Sequence, residues 1–265
     1  MPKEEKIDFK EVRSFVEKTI VEAGTEIMKY YGKESLGSKE KTSKADIVTN
    51  ADHASNKIIC DAIAKKYPNH TILSEEGEHV VGKGYTWVID PLDGTKNFSL
   101  TTPLFGVFIA LVYNGEVIVG GCYLPVMKEL FYAQKGIGLT LNGKRVYCSN
   151  EDLEHSYGAG SIKWSTVNSK LWIKFANYAN KETFYIAALG SAALSASYTA
   201  CGRRDWYVSS AKGGVWDFAV SALMLKEAGC KISKLDGSEW KFGDVEMVAA
   251  NPVLHRKLIS IINSK

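Results

Sequence analysis

The first quarter of the chain shows the apolar spacing of amphipathic helices. Apolar side chains recur at helical spacing between residues 9 and 31, with charges between them, which predicts a helix that packs on a sheet. The segment from Gly32 to Lys44 is rich in lysine, serine and glycine without apolar periodicity, which predicts a mobile loop. A second helix is predicted from Ala51 to Lys66, opened by Asn50 or Asp52.

The middle of the chain carries the pattern of strands. Strands are predicted at residues 71–73, 86–90, 104–112, 116–123 and 129–133. The two long apolar runs are joined at Asn114-Gly115, a dipeptide that strongly favours a tight hairpin turn. We therefore expect these two runs to pair with each other.

The second half alternates between strand and helix patterns, as mixed α and β proteins do. Helices are predicted at 190–202, at 217–228 and from Pro252 onward, and strands at 205–209 and 245–250. The polar stretch at 149–155 is the candidate boundary between an N-terminal subdomain, residues 1–150, and a C-terminal subdomain, residues 151–265.

Composition narrows the class of protein. A chain of 265 residues, 45% of them hydrophobic, can bury a full core as one large domain or two closely packed subdomains. The net charge is +3 and the basic residues are dispersed, so we expect no nucleic-acid partner, whereas a small anionic substrate fits. The five cysteines have no C-x-x-C spacing, and no apolar run or leader pattern indicates a membrane, which predicts a cytoplasmic protein.

The richest chemistry lies in the run Asp90-Pro91-Leu92-Asp93-Gly94-Thr95, which follows an apolar strand. Pro91 ends the hydrogen bonding of the strand, and Gly94 allows backbone amides to approach an anion closely. Asp90 and Asp93 can then converge on one side, beside the hydroxyl of Thr95. Because these motifs contain no histidine or cysteine, the carboxylates favour Mg²⁺ or Mn²⁺ over zinc.

Three further motifs accompany this run in a fixed order. They are Asp46-Ile47-Val48-Thr49-Asn50-Ala51-Asp52, Ser74-Glu75-Glu76, and Trp216-Asp217-Phe218-Ala219-Val220 continuing to Gly229. Together they resemble the inositol monophosphatase family over most of the chain. The resemblance implies a layered α-β-α-β-α sandwich of the sugar-phosphatase type, α/β or α+β in class, and Mg²⁺-dependent hydrolysis of a small phosphomonoester. Singly, Asp217 or Asp52 is typical of a helix cap and Glu75-Glu76 of a solvated acidic pair, so the joint occurrence carries the assignment.

The resemblance also implies roles for individual residues. Glu75, Asp90 and the Leu92 carbonyl would hold one Mg²⁺, Asp90, Asp93 and Asp217 a second, and a third, weaker ion would lie by Glu75. Crowded together, these carboxylates would raise one another's pKa unless cations neutralise them.

The remaining implied roles concern catalysis and phosphate binding. Thr95, held by Asp52, would activate the attacking water. The amides of Gly94 and Thr95 would receive the phosphate at a helix start. Lys41 matches the lysine of the family's mobile loop. The family usually forms homodimers and is inhibited by lithium.

Substrate specificity departs from the inositol phosphatases proper. Where those enzymes carry a glutamate shortly before the Trp-Asp motif, this chain has Ser209 or Ser210, followed by Lys212. A neutral hydroxyl with a lysine could favour a second anionic group, as in fructose 1,6-bisphosphate or a 3'(2'),5'-bisphosphate nucleotide, while Arg203 and Arg204 could equally be surface charges.

Two other protein classes remain as alternatives. Haloacid-dehalogenase-like phosphatases also carry Asp-Gly-Thr, but their two aspartates are separated by one residue, whereas two residues separate Asp90 from Asp93. A non-catalytic metal- or phosphate-binding relative should have lost a ligand, yet all the acidic positions and Thr95 are present.

Overall fold

A computed structural model describes residues 7–33, 39–43, 46–77, 84–161, 166–210 and 213–264. Its helices are α1 Phe9–Met28, α2 Asn50–Lys66, α3 Thr95–Ser99, α4 Thr166–Tyr178, α5 Ala192–Ala200, α6 Val215–Glu227 and α7 Pro252–Ile262. Its strands are β1 Lys39–Ser43, β2 Asp46–Val48, β3 Thr71–Ser74, β4 Tyr85–Asp93, β5 Gly106–Tyr113, β6 Glu116–Leu124, β7 Glu129–Gln134, β8 Gly138–Leu141, β9 Lys144–Arg145, β10 Tyr157–Ser161, β11 Tyr185–Ala187, β12 Trp206–Ser209, β13 Lys231–Ser233 and β14 Met247–Ala250.

Seven strands form one large sheet in chain order, from β3 to β9. The pair β3 and β4 is parallel, and the pairs from β4 to β9 are antiparallel. Strands β5 and β6 meet at Asn114-Gly115, where both residues have positive φ, 50° and 76°. This is the conformation that a two-residue hairpin turn requires, so the predicted hairpin is confirmed.

A second sheet has five strands in the order β11-β10-β12-β14-β13. Strand β10 pairs in parallel with both β11 and β12, whereas β14 runs antiparallel to β12 and β13. The first sheet ends at Arg145 and the second begins at Tyr157, so the predicted boundary at 149–155 falls between them. The division into two subdomains stays a prediction.

Helices and sheets alternate in five layers. Helices α1 and α2 pack on the outer face of the seven-stranded sheet, α5 and α6 lie between the two sheets, and α4 and α7 pack against the second sheet on the far side. The close approach of α1 depends on a glycine in β6: a Cβ at Gly121 would lie 2.5 Å from the Val16 side chain. The predicted α-β-α-β-α sandwich is confirmed.

Three local predictions were wrong. The segment predicted as a loop contains β1, which pairs with β2 through backbone contacts that an apolar pattern does not reveal. Helix α1 ends at Met28 rather than at residue 31, and α2 is capped by Thr49, not by Asn50 or Asp52. Helix α4 was not predicted at all.

The described helices also bear on the membrane prediction. None of them combines the length and apolar character that crossing a bilayer requires.

One buried histidine joins α7 to the second sheet. His255 is 5% exposed, and its Nε2 lies 2.9 Å from the Ser233 hydroxyl in β13. Burial lowers the pKa of His255 to about 4, because the charged imidazolium loses its hydration there, and the charge of Lys231 lowers it further.

This histidine should make the fold sensitive to mild acid. Between pH 6.5 and 4 the unfolded chain binds a proton at His255 and the folded chain does not, so stability should fall as pH falls, by up to about 1 kcal/mol per pH unit. Urea unfolding at several pH values in this window, compared between the wild type and His255→Gln, measures the effect. Equal pH slopes in the two proteins would contradict it.

Candidate metal centre

The end of β4 brings two aspartates together through a bulge. Asp90 is opposite Phe108 of β5, but Asp93 is opposite Gly106, so the register shifts between the two aspartates. A bulge redirects side chains at the end of a strand. The Leu92 amide donates a hydrogen bond to Asp90 Oδ1 at 3.1 Å, which holds the first carboxylate in place.

A third aspartate enters from α6. Asp217 lies in the first turn of that helix, and the amide of the N-cap residue Gly214 donates to its Oδ2 at 2.7 Å. A Cβ at Gly213 would lie 2.3 Å from the same oxygen, so the chain approaches this carboxylate more closely than any other residue would allow. Asp217 therefore caps α6, as its sequence position alone suggested, and also belongs to the acidic group.

Oxygens of Asp90, Asp93 and Asp217 lie within 4.8 Å of one another. Asp90 is 1% exposed and Asp93 6%. The pKa of Asp90 lies well above its ordinary value, first because the carboxylate is buried and then because Glu75, Asp93 and Asp217 repel its charge. The group therefore carries an excess of buried negative charge.

Asp93 is held differently, by the start of α5. Burial raises its pKa to about 6, against the lowering effect of hydrogen bonds from the Ser191 hydroxyl and the amides of Ala193 and Ala192. The hydrogen bonds stabilise the charged form, so Asp93 keeps much of its anionic character despite its burial.

This group fits a divalent cation. It supplies only oxygen donors, which Mg²⁺ and Mn²⁺ prefer, and a cation would relieve the repulsion that raises the pKa of Asp90. Glu75 follows β3, where its amide donates to the Ile89 carbonyl at 3.1 Å. It is near enough for its charge to act on Asp90, although it does not belong to the compact trio of Asp90, Asp93 and Asp217.

A hydroxyl and a further carboxylate lie beside the trio. Thr95 Oγ1 lies 3.1 Å from Asp52 Oδ1 and 2.9 Å from the Leu92 carbonyl, and its single hydrogen can serve one of them at a time. The other oxygen of Asp52 accepts from the amide and the hydroxyl of Thr49. Asp52, 1% exposed, is thus fixed by the cap of α2 while it faces Thr95.

The predicted phosphate cradle begins at Gly94, which precedes the five-residue helix α3. Gly94 has φ +85°, and a Cβ there would lie 2.8 Å from the Leu104 carbonyl oxygen and 3.3 Å from Phe105. Only glycine fits both the backbone angle and the space. The turn that separates Asp93 from Thr95 therefore depends on this residue.

The predicted substrate contacts are less complete. Ser209 is buried at the end of β12, and Ser210, half-buried, follows it on the way to Gly213. Lys212 lies outside the described residues, as does the side chain of Lys41, whose backbone belongs to β1.

The Arg203 side chain makes contacts within the protein. Its guanidinium donates to both carboxylate oxygens of Glu129, at 2.7 and 2.6 Å, and lies over the Tyr198 ring. The Arg204 guanidinium donates to the Arg203 carbonyl at 2.8 Å.

Sequence reasoning missed two residues that hold the site together. Ser191 donates to Asp93, and the Asn97 amide donates to the carbonyls of Leu104 and Leu189 at 2.7 and 2.8 Å. Each contact to the second half spans more than 90 residues of chain, with separations of 98 and 92. The one available signal was that serine is a frequent N-cap and Ser191 lies near the predicted start of a helix.

Comparison with known proteins places the chain among related sequences. A model described as the inositol monophosphatase family matches residues 8–265. A Thermotoga maritima protein named fructose-1,6-bisphosphatase/inositol-1-monophosphatase is 36% identical over 228 residues, 85% of this chain and 86% of its own length. The Nus factor SuhB of Salmonella typhimurium is 36% identical over 242 residues, 90% of each chain.

Solved structures show the same fold. The extragenic suppressor protein suhB from Bartonella henselae matches with a TM-score of 0.89 and 29% identity, covering 96% of this chain and 99% of its own. An IMPase/NADP phosphatase described as a complex with Mg²⁺ and phosphate has the same architecture, with a TM-score of 0.80 at 20% identity over 97% and 95% of the two chains.

The geometry at Gly94 leads to a stability prediction. Gly94→Ala should lower the free energy of unfolding by about 2 to 5 kcal/mol, because the new Cβ adds a clash to the cost of positive φ. Gly115→Ala is the matched control: its φ is +76° but nothing lies within 4 Å of the new Cβ, so it should cost only about 1 kcal/mol. Chemical denaturation measures both, and equal losses would contradict the role of the Leu104 carbonyl.

Proposed function

Because the chain belongs to the inositol monophosphatase family, we propose that it is a divalent-metal-dependent phosphatase that hydrolyses a small phosphomonoester. The observation that carries the proposal is the trio of Asp90, Asp93 and Asp217, of which Asp90 and Asp93 are buried, next to the hydroxyl of Thr95. Mg²⁺ is the proposed metal, with two or three ions in the site.

The proposed ligands are the trio, Glu75 and the Leu92 carbonyl. A cation bound there would polarise phosphate oxygens and lower the pKa of a water molecule. The protein's part is to keep these oxygens together in a buried site, where β4, α6 and the segment after β3 each deliver one or more of them.

Thr95 and Asp52 are proposed to handle the proton of the attacking water. The Thr95 hydroxyl can accept a hydrogen bond from water while it donates to Asp52, which would orient a water lone pair toward phosphorus. Asp52 suits this role because Thr49 holds its second oxygen. The amides of Gly94 and Thr95 are proposed to receive the phosphate, and Lys41 to close over it.

Among substrates, an inositol monophosphate is our first choice. The name of the Thermotoga maritima relative keeps fructose 1,6-bisphosphate as an alternative, and Ser209, Ser210 and Lys212 in place of a glutamate keep a bisphosphate nucleotide as another. Relatives named Nus factor support a further alternative, in which the chain serves as a Nus factor, with or without turnover. A homodimer, a cytoplasmic location, inhibition by lithium and the lack of a nucleic-acid partner stay predictions.

Phosphate release tests the proposal directly. The panel is inositol 1-phosphate, fructose 1,6-bisphosphate, 3'-phosphoadenosine 5'-phosphate, histidinol phosphate and NADP, each with Mg²⁺ or with EDTA. We expect one substrate to dominate in kcat/KM with Mg²⁺ and none to turn over in EDTA. Asp90→Asn should lose turnover by more than about 100-fold while its circular dichroism and melting stay native, because one charge of the trio is lost. Absence of phosphate release from folded, metal-loaded protein would favour the non-catalytic alternative.

The Thr95 hydroxyl leads to a separate prediction. Thr95→Ala should lower kcat by about 100-fold or more at saturating Mg²⁺, since the water would lose its oriented acceptor. Thr95→Ser keeps the hydroxyl and should stay within about tenfold of the wild type. Steady-state kinetics on the preferred substrate distinguish the two, and a fully active Thr95→Ala would exclude this role.

A further inference from the structure

The carboxylate of Asp93 is held entirely by the N-terminus of α5. Its Oδ2 accepts from the Ser191 hydroxyl and from the Ala193 amide at 2.8 Å, and its Oδ1 accepts from the Ala192 amide at 3.0 Å. Of these three donors, the hydroxyl alone belongs to a side chain. It is therefore the one contact that substitution can remove without moving the backbone.

The direction of the Ser191 hydrogen bond follows from its neighbours. Ser191 is the N-cap of α5, and its Oγ accepts from the Leu194 amide at 3.1 Å. Since one lone pair of Oγ is used by the helix, the hydroxyl hydrogen is free to point at Asp93. The cap thus orders the hydroxyl as a donor before any ligand arrives.

We propose that Ser191 is a positioning residue for the divalent-metal site, which fixes the Asp93 carboxylate in the orientation that binds the cation. The proposal rests on the function proposed above. A carboxylate has about four acceptor positions, and three on Asp93 are filled by α5, which leaves one on Oδ1 for a metal. Without the Ser191 hydroxyl, the Asp93 carboxylate could rotate and turn Oδ2 instead of Oδ1 to the cation. The free energy needed to order the carboxylate would then weaken metal binding.

Asn97 supports this arrangement through a second long-range contact. Its amide donates to the carbonyls of Leu104 and Leu189, and Leu189 precedes Ser191 by two residues. The turn that carries Asp93 and the segment that carries Ser191 are therefore joined twice. This double connection keeps the hydroxyl in register with its carboxylate.

The test is the affinity of the protein for Mn²⁺ in the absence of substrate. Electron paramagnetic resonance measures the Mn²⁺ that remains free in solution. Removing a group that orients a metal ligand weakens affinity by about 10- to 100-fold, and we expect a loss of that size in Ser191→Ala. Ser191→Thr keeps the hydroxyl and should bind within about threefold of the wild type. Ser191→Gly lacks the hydroxyl but is tolerated as an N-cap, so it should bind as weakly as Ser191→Ala even if the alanine variant also weakens α5.

Ser197→Ala is the matched control, because Ser197 is a buried serine of the same helix whose hydroxyl contacts Cys122. It should bind Mn²⁺ as the wild type does. Wild-type affinity in Ser191→Ala and Ser191→Gly would overturn the role of Ser191 and leave the proposed function standing. A wild-type protein that binds no Mn²⁺ would overturn both. Weak binding in Ser191→Thr as well would reduce Ser191 to a packing role and overturn the proposal.

Discussion

The repulsion among three clustered carboxylates, two of them buried, is the constraint on which the site depends. Asp90, Asp93 and Asp217 bring their oxygens within 4.8 Å of one another, and Asp90 and Asp93 are buried away from water. A folded protein tolerates such a group only if protons or cations neutralise it. Burial, together with the charges of Glu75, Asp93 and Asp217, raises the pKa of Asp90 well above its ordinary value.

The two halves of the chain each supply part of this group of carboxylates. Asp90 and Asp93 lie at the end of β4 in the seven-stranded sheet, whereas Asp217 and Ser191 come from α6 and α5. Because α5 and α6 fill the layer between the sheets, the packing that joins the halves also brings the third carboxylate to the first two. The same packing therefore stabilises the layers and assembles the site.

Much of this was predictable from the sequence. Asn114-Gly115 predicted a hairpin because a two-residue turn needs positive φ. The Asp90–Thr95 run predicted that Asp90 and Asp93 would converge, and the family resemblance implied that Asp217 would join them. The compact trio agrees with that expectation. Helix α4 also left a readable signal, since Leu171, Trp172 and Phe175 recur at helical spacing and are buried, yet it was missed.

Other features could not be predicted, for physical reasons. The pairing of β1 with β2 rests on backbone hydrogen bonds, to which side-chain patterns are blind. Ser191 and Asn97 act across contacts that join residues 98 and 92 positions apart, and local spacing carries no information on them. The proposed substrate contacts lie near Ser209, where the sequence differs from the inositol phosphatases proper, so the resemblance does not extend to them.

The central claim is that the trio binds a divalent cation. Anomalous diffraction from crystals grown with Mn²⁺ tests it most directly, because the signal locates the metal without assumptions about chemistry. The account predicts a strong peak bounded by Asp90, Asp93 and Asp217. Crystals that show Mn²⁺ elsewhere, or nowhere, while these carboxylates keep their positions would contradict it.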